Sequence, residues 1–355
     1  MAVEGTPVRI AVAGAGLIGK RHIEEVSKSC DTVLVAIVDP SPAAAAVAKT
    51  YGVALYPTLD ALFASADKPD GVILATPNSL HVDGGLTCVS AGVPVIVEKP
   101  LGDSAAEARR LVDAAAAAGV PLLTGHHRNY SSIMAKAREI VQSGVLGDIV
   151  AITGTALFYK PDPYFDENGG WRREPGGGPV LINLTHEVNN LLSLVGPITS
   201  VQATTSNATR KFPVEDTAAM VFRFASGALG TFVVSDTAAS PRSWEQTARE
   251  NLSYASYNDE DCYHIAGTRG SLSVPTMRLK AYGEDAKRSW WEPFNTSTAA
   301  LQIQDPLAVQ VAHFADVIRG NAKPICSGAD GLATLQVVDA IVESAQTGQP
   351  VTIAA

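Results

Sequence analysis

The sequence predicts an α/β domain on a doubly wound parallel sheet, followed by an α+β domain rich in strands. Three observations carry this prediction. Up to Thr124, apolar strand-like runs alternate with amphipathic helical segments. A glycine-rich turn closes the first of those runs. Beyond Thr124 the alternation gives way to successive strands, with two helical segments at about 306–320 and 331–347. A chain of 355 residues is about two domains long.

The first strand is read at Val8–Ala13, followed by Gly14-Ala15-Gly16-Leu17-Ile18-Gly19 and an amphipathic segment over 20–28. Strand, glycine turn and helix in this order form a dinucleotide fingerprint. Gly14 permits the tight turn, Gly16 lets backbone approach a pyrophosphate, and Gly19 allows helix to pack on strand. The helix start, with Leu17 and Ile18, then offers its N–H groups to phosphate. The alternative is a glycine loop that binds nothing. A second strand, Thr32–Val38, ends at Asp39, twenty residues beyond Gly19 as the fingerprint requires. An aspartate there accepts hydrogen bonds from ribose hydroxyls and repels a 2′-phosphate. No arginine occurs over 40–50, although Lys20 and Arg21 place positive charge near the loop. NAD is therefore expected over NADP.

Further strands are expected at 71–75, 93–97 and 121–124, separated by helices near 79–91 and 104–118. A parallel sheet presents its ligand at the carboxyl ends of its strands. Two of those ends are polar: Thr76-Pro77-Asn78-Ser79-Leu80-His81 and Glu98-Lys99-Pro100. Thr76, Pro77, Asn78 and His81 are candidates for cofactor contact. A turn with Asn78 or Ser79 as helix cap is equally compatible with the pattern. Lys99 is the lead catalytic candidate. His126, His127 and Arg128 follow a strand of the same sheet, so at least one should approach the nicotinamide end. A helix is then expected to end near Gly144, with strands at 149–159, 198–206, 217–224, 228–235 and 263–266. The polar stretch 240–261 reads as a long loop, lid or subunit contact. Trp290 and Trp291 are expected to cover a core or a subunit interface.

Composition excludes several classes. With 46% hydrophobic and 18% charged residues the chain can build large cores. A net charge of −9 argues against nucleic acid. No apolar run reaches membrane-spanning length, and the first residues pass directly into a strand, so a cytoplasmic protein with no membrane partner is expected. Cys30, Cys88, Cys262 and Cys326 are scattered, and histidines do not cluster at ligand spacing; reduced thiols and no metal are expected.

A substrate region is suggested by Tyr159-Lys160-Pro161-Asp162-Pro163-Tyr164-Phe165 and Trp171-Arg172-Arg173-Glu174, ahead of Gly176-Gly177-Gly178. Lys160, Arg172 and Arg173 can bind a carboxylate or a ring of hydroxyls while Tyr164 or Trp171 packs on a ring face. A surface loop with solvated cations is the plainer reading. His186 lies among Leu184, Val188, Leu191 and Leu192, a pattern that by itself suits a core histidine on an apolar helix face.

Taken together, Ala13 to Gly19, Ala75-Thr76-Pro77-Asn78 with His81, Glu98-Lys99-Pro100, Gly176-Gly177-Gly178-Pro179 with His186, and Gly267-Thr268-Arg269-Gly270-Ser271 resemble the Gfo/Idh/MocA oxidoreductases over nearly the whole chain. The resemblance implies a Rossmann NAD-binding domain at 1–125. It further implies an α+β domain at 126–355 with a large, predominantly antiparallel, open-faced sheet that supports homodimers or homotetramers. It places Lys99 beside the nicotinamide, with Glu98 and Arg128 among the cofactor contacts, and gives His186 an acid/base role. Many sugar and cyclitol dehydrogenases of the family carry aspartate four residues before that histidine. Here the position is Ile182, with Asn183 beside it as a substrate contact that cannot take up a proton. The expected activity is NAD-dependent hydride transfer at a secondary alcohol of a pyranose or cyclitol, with Lys99 and His186 both open as the immediate base. The alternatives are a dehydrogenase of carboxylated aromatic cis-dihydrodiols and a non-catalytic NAD-sensing regulator.

Overall fold

The computed structural model describes residues 5–353. Two compact units form: residues up to Tyr130 together with Gln304–Leu335, and Ser131–Ile303 together with the residues from Gln336 onward.

In the first unit, β1 (Val8–Ala13), β2 (Thr32–Val38), β3 (Ala54–Tyr56), β4 (Gly71–Leu74), β5 (Val95–Val97) and β6 (Leu122–Thr124) form a six-stranded sheet in the order β3-β2-β1-β4-β5-β6. Every pairing is parallel. Parallel strands are covered on both faces, which explains their unbroken apolar runs. Ala11, Ala13, Val72, Leu74, Val95 and Val97 share one buried cluster with Ala108 and Leu111 of the helix Ala105–Ala118. Ile10, Val12, Ile37, Ile73 and Ile96 share another with Ile23 and Val26 of the helix Leu17–Lys28, and with Val311, Phe314 and Ala315. These last three belong to the helix Pro306–Arg319. The division expected after residue 125 therefore misplaces 304–335: that segment returns to the parallel sheet because the sheet's second face needs an apolar cover.

Register decides what the sheet presents. Ala13 pairs with Val38 and Leu74, Leu74 with Val97, and Val97 with Thr124, so these strands end in one row. The residues that follow them, Gly14, Asp39, Ala75, Glu98 and Gly125, consequently lie along a single edge. The strand order reverses between β1 and β4, which is where a doubly wound sheet opens its ligand crevice.

The second unit holds β7 (Ile149–Leu157), β8 (Ile198–Ser206), β9 (Thr217–Phe224), β10 (Leu229–Ser235), β11 (Tyr263–Gly267), β12 (Gly270–Val274), β13 (Arg278–Ala281), β14 (Asn295–Thr298) and β15 (Val351–Thr352). They form a nine-stranded sheet in the order β14-β13-β12-β11-β7-β10-β9-β8-β15, with β10 and β7 its one parallel pair. Alternation sorts its faces. Ala218, Met220, Phe222 and Phe224 point into a core shared with Ile133, Val188, Leu191 and Ile341, whereas Thr153, Val221, Leu229 and Thr231 stay exposed on the other face.

Several expectations change. The expected helix at 79–91 is a 3-10 turn, Asn78–Leu80, running into the helix His81–Ser90, and neither Asn78 nor Ser79 supplies a side-chain cap. The stretch 240–261 contains a short helix, Trp244–Thr247, capped by Ser243. Trp290 and Trp291 are 86% and 81% exposed, so they cover no core of their own chain. Among the described residues, no helix is long and apolar enough to cross a membrane, and no cluster of three or more potential metal ligands occurs.

Candidate active site

At the carboxyl edge of the parallel sheet the glycines divide the steric work. Gly14 has a φ of +95°, and a Cβ there would lie 2.3 Å from the Ala75 carbonyl oxygen. A Cβ on Gly19 would lie 1.9 Å from the carbonyl oxygen of Gly14. Gly16 differs: a Cβ there meets nothing within 4 Å, and beyond it the helix Leu17–Lys28 begins without a side-chain cap. Two glycines thus bring backbone together, and the third leaves helix N–H groups facing open space, the arrangement that takes a phosphate. Leu17 is exposed there and Ile18 half-buried.

Asp39 joins this loop to β2. Its Oδ2 accepts from Ala15 N at 2.8 Å and its Oδ1 from Ser41 N at 2.8 Å, which leaves lone pairs on both oxygens for further donors. Arg21 is committed elsewhere, donating to Glu24 at 2.8 Å and Asp305 at 2.7 Å. Of the two cations near the loop, only Lys20 is left to meet an added phosphate.

Beside β5, Glu98 is buried and its Oε1 lies 2.7 Å from Nε2 of the buried His22, while its Oε2 accepts from Lys99 N at 3.2 Å. Burial pushes the Glu98 carboxyl up, but the hydrogen bond and charge of His22, with His127 and Lys99, hold it below the usual carboxylate range. The turn carrying His127–Tyr130 sits against it: Gly125 N donates to Val97 O at 2.7 Å, and a Cβ on Gly125 would lie 2.8 Å from Glu98 Cα. Burial and Lys99 push His126 down to about 3, and burial and Arg128 push His127 down to about 4. Both imidazoles are therefore neutral at pH 7, beside an ionised Glu98. Arg128 is buried in the same turn.

His81 braces the loops at two strand ends. Its Nδ1 lies 2.7 Å from Pro100 O and its Nε2 3.0 Å from Thr76 O, so it straps together the two loops that end β4 and β5. The Thr76 hydroxyl is buried with no hydrogen-bond partner among the described residues, a state that costs stability unless a ligand supplies one. An open helix start, an aspartate with spare acceptors and an unpartnered threonine hydroxyl fit a dinucleotide. Pro77 and Asn78 follow in the adjoining turn.

In the second unit, Lys160, Tyr164 and Asn183 line one cavity of about 590 Å³ with Tyr159, Tyr254 and Tyr257. Asn183 lies in a π-helical turn, Val180–Leu184, that leads into the helix Thr185–Val195 carrying His186. Such turns re-aim side chains at functional sites. Asn183 Oδ1 accepts from Lys160 Nζ at 2.7 Å. His186, three residues on in the first turn of that helix, is buried, as the apolar pattern anticipates. Burial pushes the Lys160 ammonium down to about 8, against the pull of Asp236 and Glu245.

The expected partners of Lys160 stand outside the cavity lining. Arg172 stacks 4.0 Å from the centre of the Tyr164 ring and donates to Tyr164 O at 2.7 Å and Glu167 at 3.1 Å. Arg173 pairs with Asp166, and Trp171 is exposed. Gly178 admits a carboxylate, since a Cβ there would lie 2.2 Å from Glu215 Oε1. Sequence reasoning missed Arg210 and Asp236, which pair at 3.0 Å; Arg210 also donates to Lys160 O at 2.7 Å and so fixes the lysine's backbone. It likewise missed the buried group of Glu187, Asn190 and Tyr263: the tyrosine hydroxyl donates to Glu187 and accepts from Asn190 at 2.9 Å.

This combination defines an oxidoreductase with a dinucleotide-binding domain and a separate sheet domain. The family described as "Oxidoreductase family, NAD-binding Rossmann fold" matches residues 8–126, and the "GFO/IDH/MocA C-terminal domain" matches residues 134–273. The chain belongs to the Gfo/Idh/MocA oxidoreductase family. It is 27% identical to an inositol 2-dehydrogenase of Rhizobium meliloti over 98% of this chain and 99% of that one. It is also 27% identical to a D-xylose 1-dehydrogenase (NADP(+)) of Haloferax volcanii, over 96% of this chain and 98% of that one. An Agrobacterium radiobacter oxidoreductase solved with NAD+, L-tartaric acid and magnesium has the same fold, with a TM-score of 0.80 at 21% identity over 98% of both chains.

Proposed function

We propose that the protein is an NAD-dependent dehydrogenase that acts on a secondary alcohol of a pyranose or cyclitol. The observation that carries this reading is the row at the end of the parallel sheet: the open Gly16 turn, Asp39 with spare acceptors, the unpartnered Thr76 hydroxyl and Lys99 beside its buried Glu98. Relatives named for inositol and xylose supply the substrate class.

The bound nicotinamide would supply the hydride acceptor or donor. Gly14, Gly16, Leu17, Ile18 and Gly19 would hold the pyrophosphate, Asp39 the ribose, and Thr76, Pro77, Asn78 and Arg128 the remaining cofactor atoms. Lys99 would donate a hydrogen bond to the reacting oxygen and stabilise its developing negative charge. His186 would move the hydroxyl proton, since imidazole titrates near neutrality and serves in either direction. Ile182 cannot share that proton, and Asn183 can only orient neighbours. NAD is favoured over NADP because Asp39 would repel a 2′-phosphate and Arg21 already serves two carboxylates. Homodimers or homotetramers through the exposed sheet face, and a cytoplasmic site of action, remain part of this proposal.

The test is absorbance at 340 nm with NAD+ and NADP+ in parallel across pyranoses, inositols, sugar acids and aromatic dihydrodiols. NADH formation with a pyranose or inositol supports the reading. NAD binding without turnover of any alcohol would favour the sensing regulator instead.

A further inference from the structure

Lys160 is an under-satisfied cation. Its side chain is 12% exposed, and an ammonium carries three donors. One goes to Asn183 Oδ1 at 2.7 Å; the nearest carboxylate, Asp236 Oδ2, stands at 3.9 Å, beyond hydrogen-bond distance. Asp236 also already accepts from Arg210 Nε at 3.0 Å. Among the described residues two ammonium donors thus have no hydrogen-bond acceptor, the centre of the Tyr164 ring lying 4.9 Å away, while the residue lines a cavity of about 590 Å³, well within the range of small-molecule sites.

The other cations nearby are engaged. Arg172 pairs with Glu167, Arg173 with Asp166, and Arg210 with Asp236 and Asp162. Lys160 is the one basic side chain on the cavity wall, among the described residues. Around it stand Tyr159, Tyr164, Tyr254 and Tyr257, flat surfaces that pack against the C–H face of a ring. Asp236 at 3.9 Å and Glu245 on the cavity wall compensate part of the charge without filling its donors; a neutral hydroxyl would fill a donor, and a carboxylate would fill two and add the stronger, charge-assisted bond.

We propose that this cavity selects a six-membered ring bearing a carboxylate, with the Lys160 ammonium binding the carboxylate and the tyrosines packing on the ring. The proposal rests on the dehydrogenase reading only for the ring, and narrows its substrate class from neutral polyols to acids. Two sources share this chemistry, a sugar acid and a carboxylated cyclohexadiene diol.

The experiment is calorimetric titration of the wild-type chain, with NADH present, by D-glucuronate, D-glucose and a cis-dihydroxycyclohexadiene carboxylate. The same titrations are made on Lys160→Met and Lys160→Gln, with circular dichroism confirming the fold of each. One of the acids is expected to bind wild type at least about tenfold more tightly than glucose, the size of a charge-assisted hydrogen bond, and whichever acid does so identifies the source. In either variant the ratio of acid affinity to glucose affinity should fall to about one. Glucose binding as tightly as both acids, no binding of either acid, or an unchanged preference in a folded variant would each overturn the proposal. Selective acid binding without NADH formation from any alcohol would keep the acid site and refute the dehydrogenase reading.

Discussion

At the carboxyl edge of the first sheet the backbone makes the site: Gly14, Gly16 and Gly19 share one turn, and the pairing of β1 with β2 brings Asp39 to it. Ala15 N reaches Asp39, Gly14 is pressed against Ala75, and Gly16 stands open. In the second unit side chains make the cavity, over separations similar to the 24 positions between Ala15 and Asp39. Lys160 meets Asn183 across 23 positions, and Arg210 meets Asp236 across 26. A backbone site is specified by spacing and tolerates little steric change, whereas a side-chain site depends on strand register and can be retuned one residue at a time. The variants below should therefore behave differently in the two units.

The largest separation is expected from Lys99→Met. If Lys99 stabilises developing charge while backbone groups hold the cofactor, kcat should fall about a thousandfold. The dissociation constant for NADH, read by fluorescence, should change by less than about threefold. A parallel loss of NADH binding would place Lys99 in the cofactor cradle and erase the distinction between holding and reacting groups.

Next comes a pair of glycine variants. Gly14→Ala combines a φ of +95° with a 2.3 Å approach to backbone, and should lower stability by about 2–4 kcal/mol in denaturant titration. Gly16→Ala meets nothing within 4 Å, so it should fold with a loss below about 1 kcal/mol and weaken only NADH binding. Equal destabilisation by the two would show that the open turn is an ordinary packed loop.

This contrast also explains what could be read from the chain. The Gly14, Gly16, Gly19 and Asp39 pattern is legible because a strand, turn, helix and strand of ordinary length fix its spacing. β9 is legible because the buried Ala218, Met220, Phe222 and Phe224 alternate with less buried neighbours. The edge strand β14 and its neighbour β13 are not: Asn295–Thr298 is exposed throughout and has no apolar rhythm. Arg210 and Asp236 escaped notice because only the pairing of Thr217 with Ser235 brings their segments together, after which Asp236 N donates to Asp216 O. His81 was legible as a polar residue at a strand end, but not as a strap, since its partners are the carbonyls of Thr76 and Pro100 rather than side chains.

Acid should act first on the backbone-built unit. His126 and His127 have folded values pushed down to about 3 and about 4, so the unfolded chain binds more protons once pH falls below the ordinary histidine value near 6.5. Their stabilising neutrality is complete above that value and is lost as pH falls toward the folded values. Each histidine should remove up to about 1 kcal/mol per pH unit in this window. Glu98, held below the carboxylate range, adds to the loss only at lower pH. Melting between pH 7.5 and 5.0 checks the sign: a Tm that rises on acidification would contradict the burial of both rings. His127→Gln should flatten the slope.

The smallest effect belongs to the cavity. Burial pushes Lys160 down to about 8; Asp236, Glu245, Arg172 and Arg210 are the charged groups that act on it, and Tyr164 is a phenol close beside it. Because a carboxylate ligand needs the protonated amine, its affinity should weaken as pH rises through the folded value, by about threefold between pH 7.5 and 8.5. A neutral pyranose should show no such slope in the same titration, and neither ligand should show it in Lys160→Gln. A slope common to both ligands would move the titrating group away from Lys160. A slope confined to the acid would show that one side chain, rather than the backbone frame, sets what this half of the molecule accepts.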